Sequence, residues 1–149
     1  MKKEDLYARM MHTPDDAERA ALREALRDAW KQLLPLHRAL IDASTEEYKA
    51  GGAVVNGPTH LLQLLQDDPF FTWLRPLTSL IVDIDTMSRT DFQRSDVDGV
   101  VARLEHLFGA NADHEFAEHY VPVLQRDVDV AIGHAAIRQV LRRLAPASE

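Results

Sequence analysis

Leu22, Leu26, Ala29, Leu33, Leu36, Leu40 and Ala43 recur at steps of 4, 3, 4, 3, 4 and 3 residues. That spacing lays one apolar stripe along about six turns of a long helix. A stripe of this length cannot stay in water, because each exposed leucine forfeits roughly 1.5–3 kcal/mol. Other helices must therefore cover it. Thr13-Pro14-Asp15-Asp16 marks its start: Thr13 suits the cap, Pro14 the first helical position, and Asp16 the acid of a capping box. Gly51 and Gly52 end it. Pro35 lies inside the pattern, which predicts a kink near Lys31 to Leu34 or two abutting helices.

The same period continues downstream. Gly57-Pro58 opens a short helix carrying Leu61, Leu62, Leu64 and Leu65. Asp68-Pro69 reads as a cap and first-turn proline, followed by a stripe at Phe70, Trp73, Leu77, Leu80, Ile84 and Met87. Pro76 offsets the first turns of that helix. Ser95-Asp96-Val97-Asp98 looks like a capping box for a helix that runs to Gly109. A further helix begins near Asn111 and carries Phe116, Tyr120 and Leu124. Asp127 caps the last one, whose stripe is Val130, His134, Ile137, Leu141 and Leu144. No segment alternates with period 2. The predicted fold is all-α: one domain over residues 1–149, an antiparallel four- to five-helix bundle with a long, Pro-kinked first helix. Residues 1–12 read as a loosely ordered N-terminal segment.

Composition narrows function mostly by exclusion. The 149 residues carry 17 Lys and Arg against 24 Asp and Glu, a net charge of −7. An acidic chain is a poor general ligand for nucleic acid or anionic membranes. Arg138, Arg142 and Arg143 gather at the end of the last helix, where they oppose its dipole, and are too few to reverse that expectation. There is no cysteine, so disulfides, zinc–thiolate sites and thiol nucleophiles are excluded. Glu4, Asp5 and Arg9 interrupt any signal-peptide core. No stretch reaches the ~18 apolar residues of a membrane span. The expected setting is cytoplasmic.

The run Asp68-Pro69-Phe70-Phe71-Thr72-Trp73-Leu74-Arg75-Pro76-Leu77, continuing to Asp85, resembles a family of small bacterial all-α proteins whose activity is uncharacterised. Pro35-Leu36-His37-Arg38-Ala39-Leu40 and His134-Ala135-Ala136 share in the likeness, which covers about residues 34–144. The resemblance implies a helical fold and a bacterial cytoplasmic setting. It implies no reaction, and no functional residue is carried over from it.

Seven histidines are present. His114-Glu115-Phe116-Ala117-Glu118-His119 is the densest group, with His114/Glu118 and Glu115/His119 each one helical turn apart. The zinc-protease pattern needs histidines four apart, and these are five apart, so a solvated charged face is the favoured reading. His134 interrupts an apolar stripe, His37 and Asp85 border apolar faces, and Arg75 sits among Phe71, Trp73 and Leu74. A buried ionisable group must be paired or neutral. In the favoured reading His37 and His134 donate to carbonyls or to Asp85, and Arg75 bonds helix-end carbonyls or a carboxylate. In the competing one His37, Arg75, Asp85 and His134 converge on a ligand pocket walled by Trp73 and able to hold an anion or a divalent metal. Of the clustered aromatics, Phe70 and Trp73 are expected in the core and Phe71 over a neighbouring loop. The Gly51–Gly57 stretch lacks a phosphate-loop ending, and no Gly-x-Ser-x-Gly elbow occurs.

Two functions are therefore expected. The first is a non-catalytic helical bundle acting by association, as a homodimer. The alternative is a small-molecule or metal-binding bundle, in its extreme form a metal-assisted hydrolase. No cofactor is assigned.

Overall fold

A computed structural model describes residues 15–110 and 112–146. The Thr13 and Pro14 assignments, the 1–12 segment, His12 and Asn111 lie outside the described residues. Those described hold six α-helices and one 3₁₀ segment, and no strand. The fold is all-α. In chain order the helices are α1 (Asp16–Ala50), α2 (Pro58–Asp67), α3 (Arg75–Arg89), α4 (Arg94–Phe108), α5 (His114–Arg126) and α6 (Val128–Leu144). The 3₁₀ segment, Pro69–Leu74, joins α2 to α3.

α1 is one continuous 35-residue helix. At 1.5 Å per residue it is about 50 Å long. Its start is capped by Asp15, whose carboxylate accepts from the Glu18 amide at 2.7 Å, so Asp16 is the first helical residue and not the acid of a capping box. Pro35 does not divide the helix. An interior proline costs about 3 kcal/mol. Leu33, Leu36 and Leu40 around it are at most 3% exposed, and burying three leucines returns about 5–9 kcal/mol. Packing outweighs the lost backbone bond. The expected stripe is the observed core face: Leu22, Leu26, Ala29, Leu33, Leu36 and Leu40 are all buried, and Ala43 packs at its edge.

α1 makes its most extensive contact with α6 and its next with α3, and it also touches α5 and the 3₁₀ segment. α6 further contacts α4 and α5. Arginines tie the helices end to end. Arg23 donates to the carbonyls of Ser88 and Thr90 at the end of α3, Arg94 to Leu144 at the end of α6, Arg138 to Phe108 at the end of α4, and Arg75 to Gln66 in the last turn of α2. Each bond satisfies carbonyls that the last turn of a helix leaves unpaired.

Three local expectations are corrected. Gln93, not Ser95, is the N-cap of α4, in a reciprocal capping box with Asp96. Asp113 starts α5, accepting from the Phe116 amide at 3.0 Å. Residues 69–74 are 3₁₀ rather than α, and this reverses the aromatics: Phe71 is fully buried and Phe70 is 39% exposed. A 3₁₀ turn advances each residue about 20° further than an α turn. Over Phe70 to Leu74 the difference accumulates to most of a right angle, which rotates Phe70 off the face that Leu77 and Leu80 bury. Phe70 rests instead on Tyr48 and Phe71, with ring centroids at 5.2 and 5.3 Å.

Candidate functional site

The five residues singled out from the sequence each have their own partner. His37, half-buried on α1, bonds the Thr78 hydroxyl of α3 through Nε2 at 2.8 Å. Thr78 Oγ1 donates its proton to the Leu74 carbonyl, so the imidazole supplies the Nε2–H in this bond. Burial lowers the pKa of His37 and favours this neutral form. Arg75 opens α3, lies exposed and holds the end of α2. Asp85 pairs with Arg89 one turn further along α3, at 2.9 Å. Trp73 is buried and donates from Nε1 to Ser44 Oγ on α1 at 3.1 Å. His134 on α6 bonds the Tyr120 hydroxyl of α5 through Nδ1 at 2.8 Å. No hydrogen bond or ion pair joins any two of the five.

The densest polar–aromatic grouping forms where the 3₁₀ segment, α5, α6 and the end of α4 meet. Trp73 lies against Phe116 at 5.5 Å, Phe116 stacks on Tyr120 at 5.1 Å, and Phe108 meets both of the latter edge-on. His119 covers the outer face of the array, stacked on Trp73 at 5.1 Å. Burial pushes the Tyr120 phenol well above its ordinary pKa, so it keeps its proton. His134 is pushed below the usual histidine value by burial and by the Arg138 guanidinium one turn away. Tyr120 and His134 therefore meet as two neutral groups, and each satisfies the other. This suits a packed interior rather than a proton relay.

Two further histidines are placed locally. His60 Nδ1 accepts from the Asn56 amide beside the start of α2, and His106 lies 3.7 Å from Asp113. Among the described residues no three His, Asp or Glu side chains are grouped to hold a metal ion.

A groove among the described residues lies elsewhere. An open groove of about 520 Å³ runs between α3 and α4, lined by Asp83, Met87, Asp91, Phe92, Asp96 and Arg103 among others. Arg103 is bonded to Asp83 at 2.7 Å, and Asp96 is engaged in the α4 capping box. None of the five sequence candidates lines it. Sequence reasoning also passed over Ser44, Thr78 and Tyr120, the partners of Trp73, His37 and His134. No spacing rule marks them, since each partner sits on a different helix. The exposed side of α6, by contrast, was readable on a helical wheel. Val128 and Ile132 are one turn apart on that side.

No protein-family model, curated protein or solved structure matches the chain.

Proposed function

We propose that this chain is a non-catalytic, cytoplasmic all-α module that acts by association, principally with a second copy of itself. In this reading α1 and the helices around it pack as an antiparallel bundle, of the kind the resemblance to small bacterial helical proteins implies. The single observation that carries the proposal is the outward face of α6. Val128 is 73% exposed and Ile132 64%, one turn apart, on a helix whose other side is fully in the core. Two β-branched apolar side chains held in water on a rigid helix are a standing driving force for association. The inward-looking polar groups His37, Trp73, Tyr120 and His134 support it too, since each is engaged by a local partner.

Sedimentation velocity from micromolar to submillimolar protein tests this. The expected result is a species of about twice 16.9 kDa that grows with concentration. A constant 16.9 kDa species overturns the proposal.

The α3–α4 groove favours a second reading, in which the bundle binds a small molecule or divalent cation. Elemental analysis of purified protein, with a thermal-shift screen of divalent ions, separates the two. A bound ion raises the melting temperature by mass action.

A further inference from the structure

The link between α1 and α2, residues 51–57, ends in Asn56-Gly57. An asparagine followed by glycine has a reaction of its own. The backbone nitrogen of the glycine can attack the side-chain carbonyl carbon of the asparagine and close a five-membered ring. Glycine obstructs that attack least, because it lacks a Cβ and its backbone is the freest to rotate. The fold must still leave the attacking amide out of a hydrogen bond and the backbone able to swing it toward the side chain.

Both conditions hold here. Asn56 and Gly57 are exposed and lie outside any helix. The groups on either side of the Gly57 amide are engaged: the Asn56 amide donates to His60 Nδ1 at 2.9 Å, and the Gly57 carbonyl accepts from the Leu61 amide at 3.0 Å. The Gly57 amide itself has no hydrogen-bond partner among the described residues. Gly57 stands at φ 97°, with open space where a side chain would be. Asp98-Gly99 is the other pair in the sequence with the makings of such a ring. It lies inside α4, where the Gly99 amide belongs to the helix's own hydrogen-bond ladder and the Asp98 carboxylate is held by Arg94 at 3.1 Å. The fold leaves one pair open to reaction and closes the other.

We infer that Asn56-Gly57 is a site of spontaneous covalent modification in the folded protein, by deamidation through a succinimide. Hydroxide takes the Gly57 amide proton, the bond from that nitrogen to Asn56 Cγ forms, and the side-chain nitrogen of Asn56 leaves as ammonia. Water then opens the ring at one of its two carbonyls. Breaking the new bond leaves aspartate. Breaking the original peptide bond leaves isoaspartate, with an extra methylene in the main chain just before α2. Nothing is oxidised or reduced, and the net change is NH₂ replaced by OH. Either product adds a negative charge to a chain already at −7. The charge arises beside the first turn of α2, which has neither an acidic residue nor a side-chain cap, so the positive end of that helix favours it.

Peptide mapping by mass spectrometry, after incubation of the full-length chain at mildly alkaline pH and physiological temperature, tests this. Each site is followed in folded protein and in the same protein unfolded in guanidinium chloride. The peptide containing Asn56 is expected to gain one dalton in the folded chain at a rate within threefold of the unfolded one, and to label with an isoaspartyl methyltransferase. Isoaspartate at Asp98 is expected to form at least tenfold faster in the unfolded chain than in the folded one. Asn56→Gln, an exposed substitution in the link, is expected to abolish the gain at that peptide. A folded chain that gains nothing at Asn56 while the unfolded chain does would overturn the inference. So would an Asp98 site that reacts equally fast in both states, since the fold would then not be choosing between the pairs.

Discussion

Removing the Ser44 hydroxyl strands the Trp73 indole N–H. Ser44 and Trp73 are 3% and 5% exposed, and their bond spans 3.1 Å, so no water replaces the lost acceptor. A buried donor left without a partner costs about 1–3 kcal/mol. Alanine in place of serine in a helix interior returns about 0.5 kcal/mol. The unmet donor wins, and Ser44→Ala is expected to destabilise the fold by about 0.5–2.5 kcal/mol. In a chain of this length each kcal/mol moves the melting temperature by about 3–4 °C, which gives a fall of about 2–10 °C. Thermal melts followed by circular dichroism measure it, and a double-mutant cycle isolates its cause. Phenylalanine has no N–H, so in a Trp73→Phe background Ser44→Ala is expected to be neutral or mildly stabilising. The coupling should reach about 1 kcal/mol, as for residues in direct contact. Equal losses in the two backgrounds would refute the bond as the source of the effect, and no loss in the wild-type background would refute the reasoning about burial.

Pro35→Ala is expected to stabilise the protein by about 1–3 kcal/mol, because α1 already runs unbroken through that position and an alanine there regains a backbone donor and relieves a clash. A lower melting temperature for the variant would mean that the helix needs its proline. Stability should also depend on pH at both extremes. His37 and His134 titrate below the ordinary histidine value in the folded protein, so the unfolded chain takes up protons first. Stability is full above pH ~6.5 and falls as pH drops through the folded-state values. Tyr120 titrates above its ordinary value, so a second loss sets in as pH rises past ~10. Urea titrations across pH check both. A His134→Asn, His37→Gln double variant should flatten the acid limb, and an unchanged acid limb would refute the assignment.

The helices were legible because their stripes are long and regular. In α1 and α6 each buried leucine, valine or isoleucine repeats the same information, so a single disturbance such as Pro35 or His134 does not erase it. Caps were less secure. Asp68 and Asp127 cap as their sequence context implies, but Asp15 is the N-cap of α1, which makes Asp16 the first helical residue rather than the acid of a capping box, and Gln93 caps α4 in place of Ser95. Neighbouring polar residues present nearly the same signal, and tertiary packing chooses among them. Phe70 and Phe71 show a different limit: choosing which one is buried requires knowing that the turn is 3₁₀, and Pro69 and Pro76 bracket that segment without dictating its pitch. The polar candidates were hardest. That His134, Arg75 and His37 need partners follows from their place beside apolar stripes, but Tyr120, Gln66 and Thr78 are reached only after helices have been paired, and periodicity carries no pairing order.

The length of α1 has a consequence for how the protein is made. This helix leaves the ribosome before the helices that cover it, its principal partner, α6, is the last helix described, and the Arg143–Asp28 bond at 2.8 Å joins residues 115 positions apart. At ~5–20 residues per second, translation from the end of α1 to the end of α6 takes on the order of 5–20 s. Until α6 is made, the nascent chain presents a leucine ridge about five turns long, from Leu22 to Leu40, without its principal cover, which makes it a natural client for a chaperone at the tunnel exit.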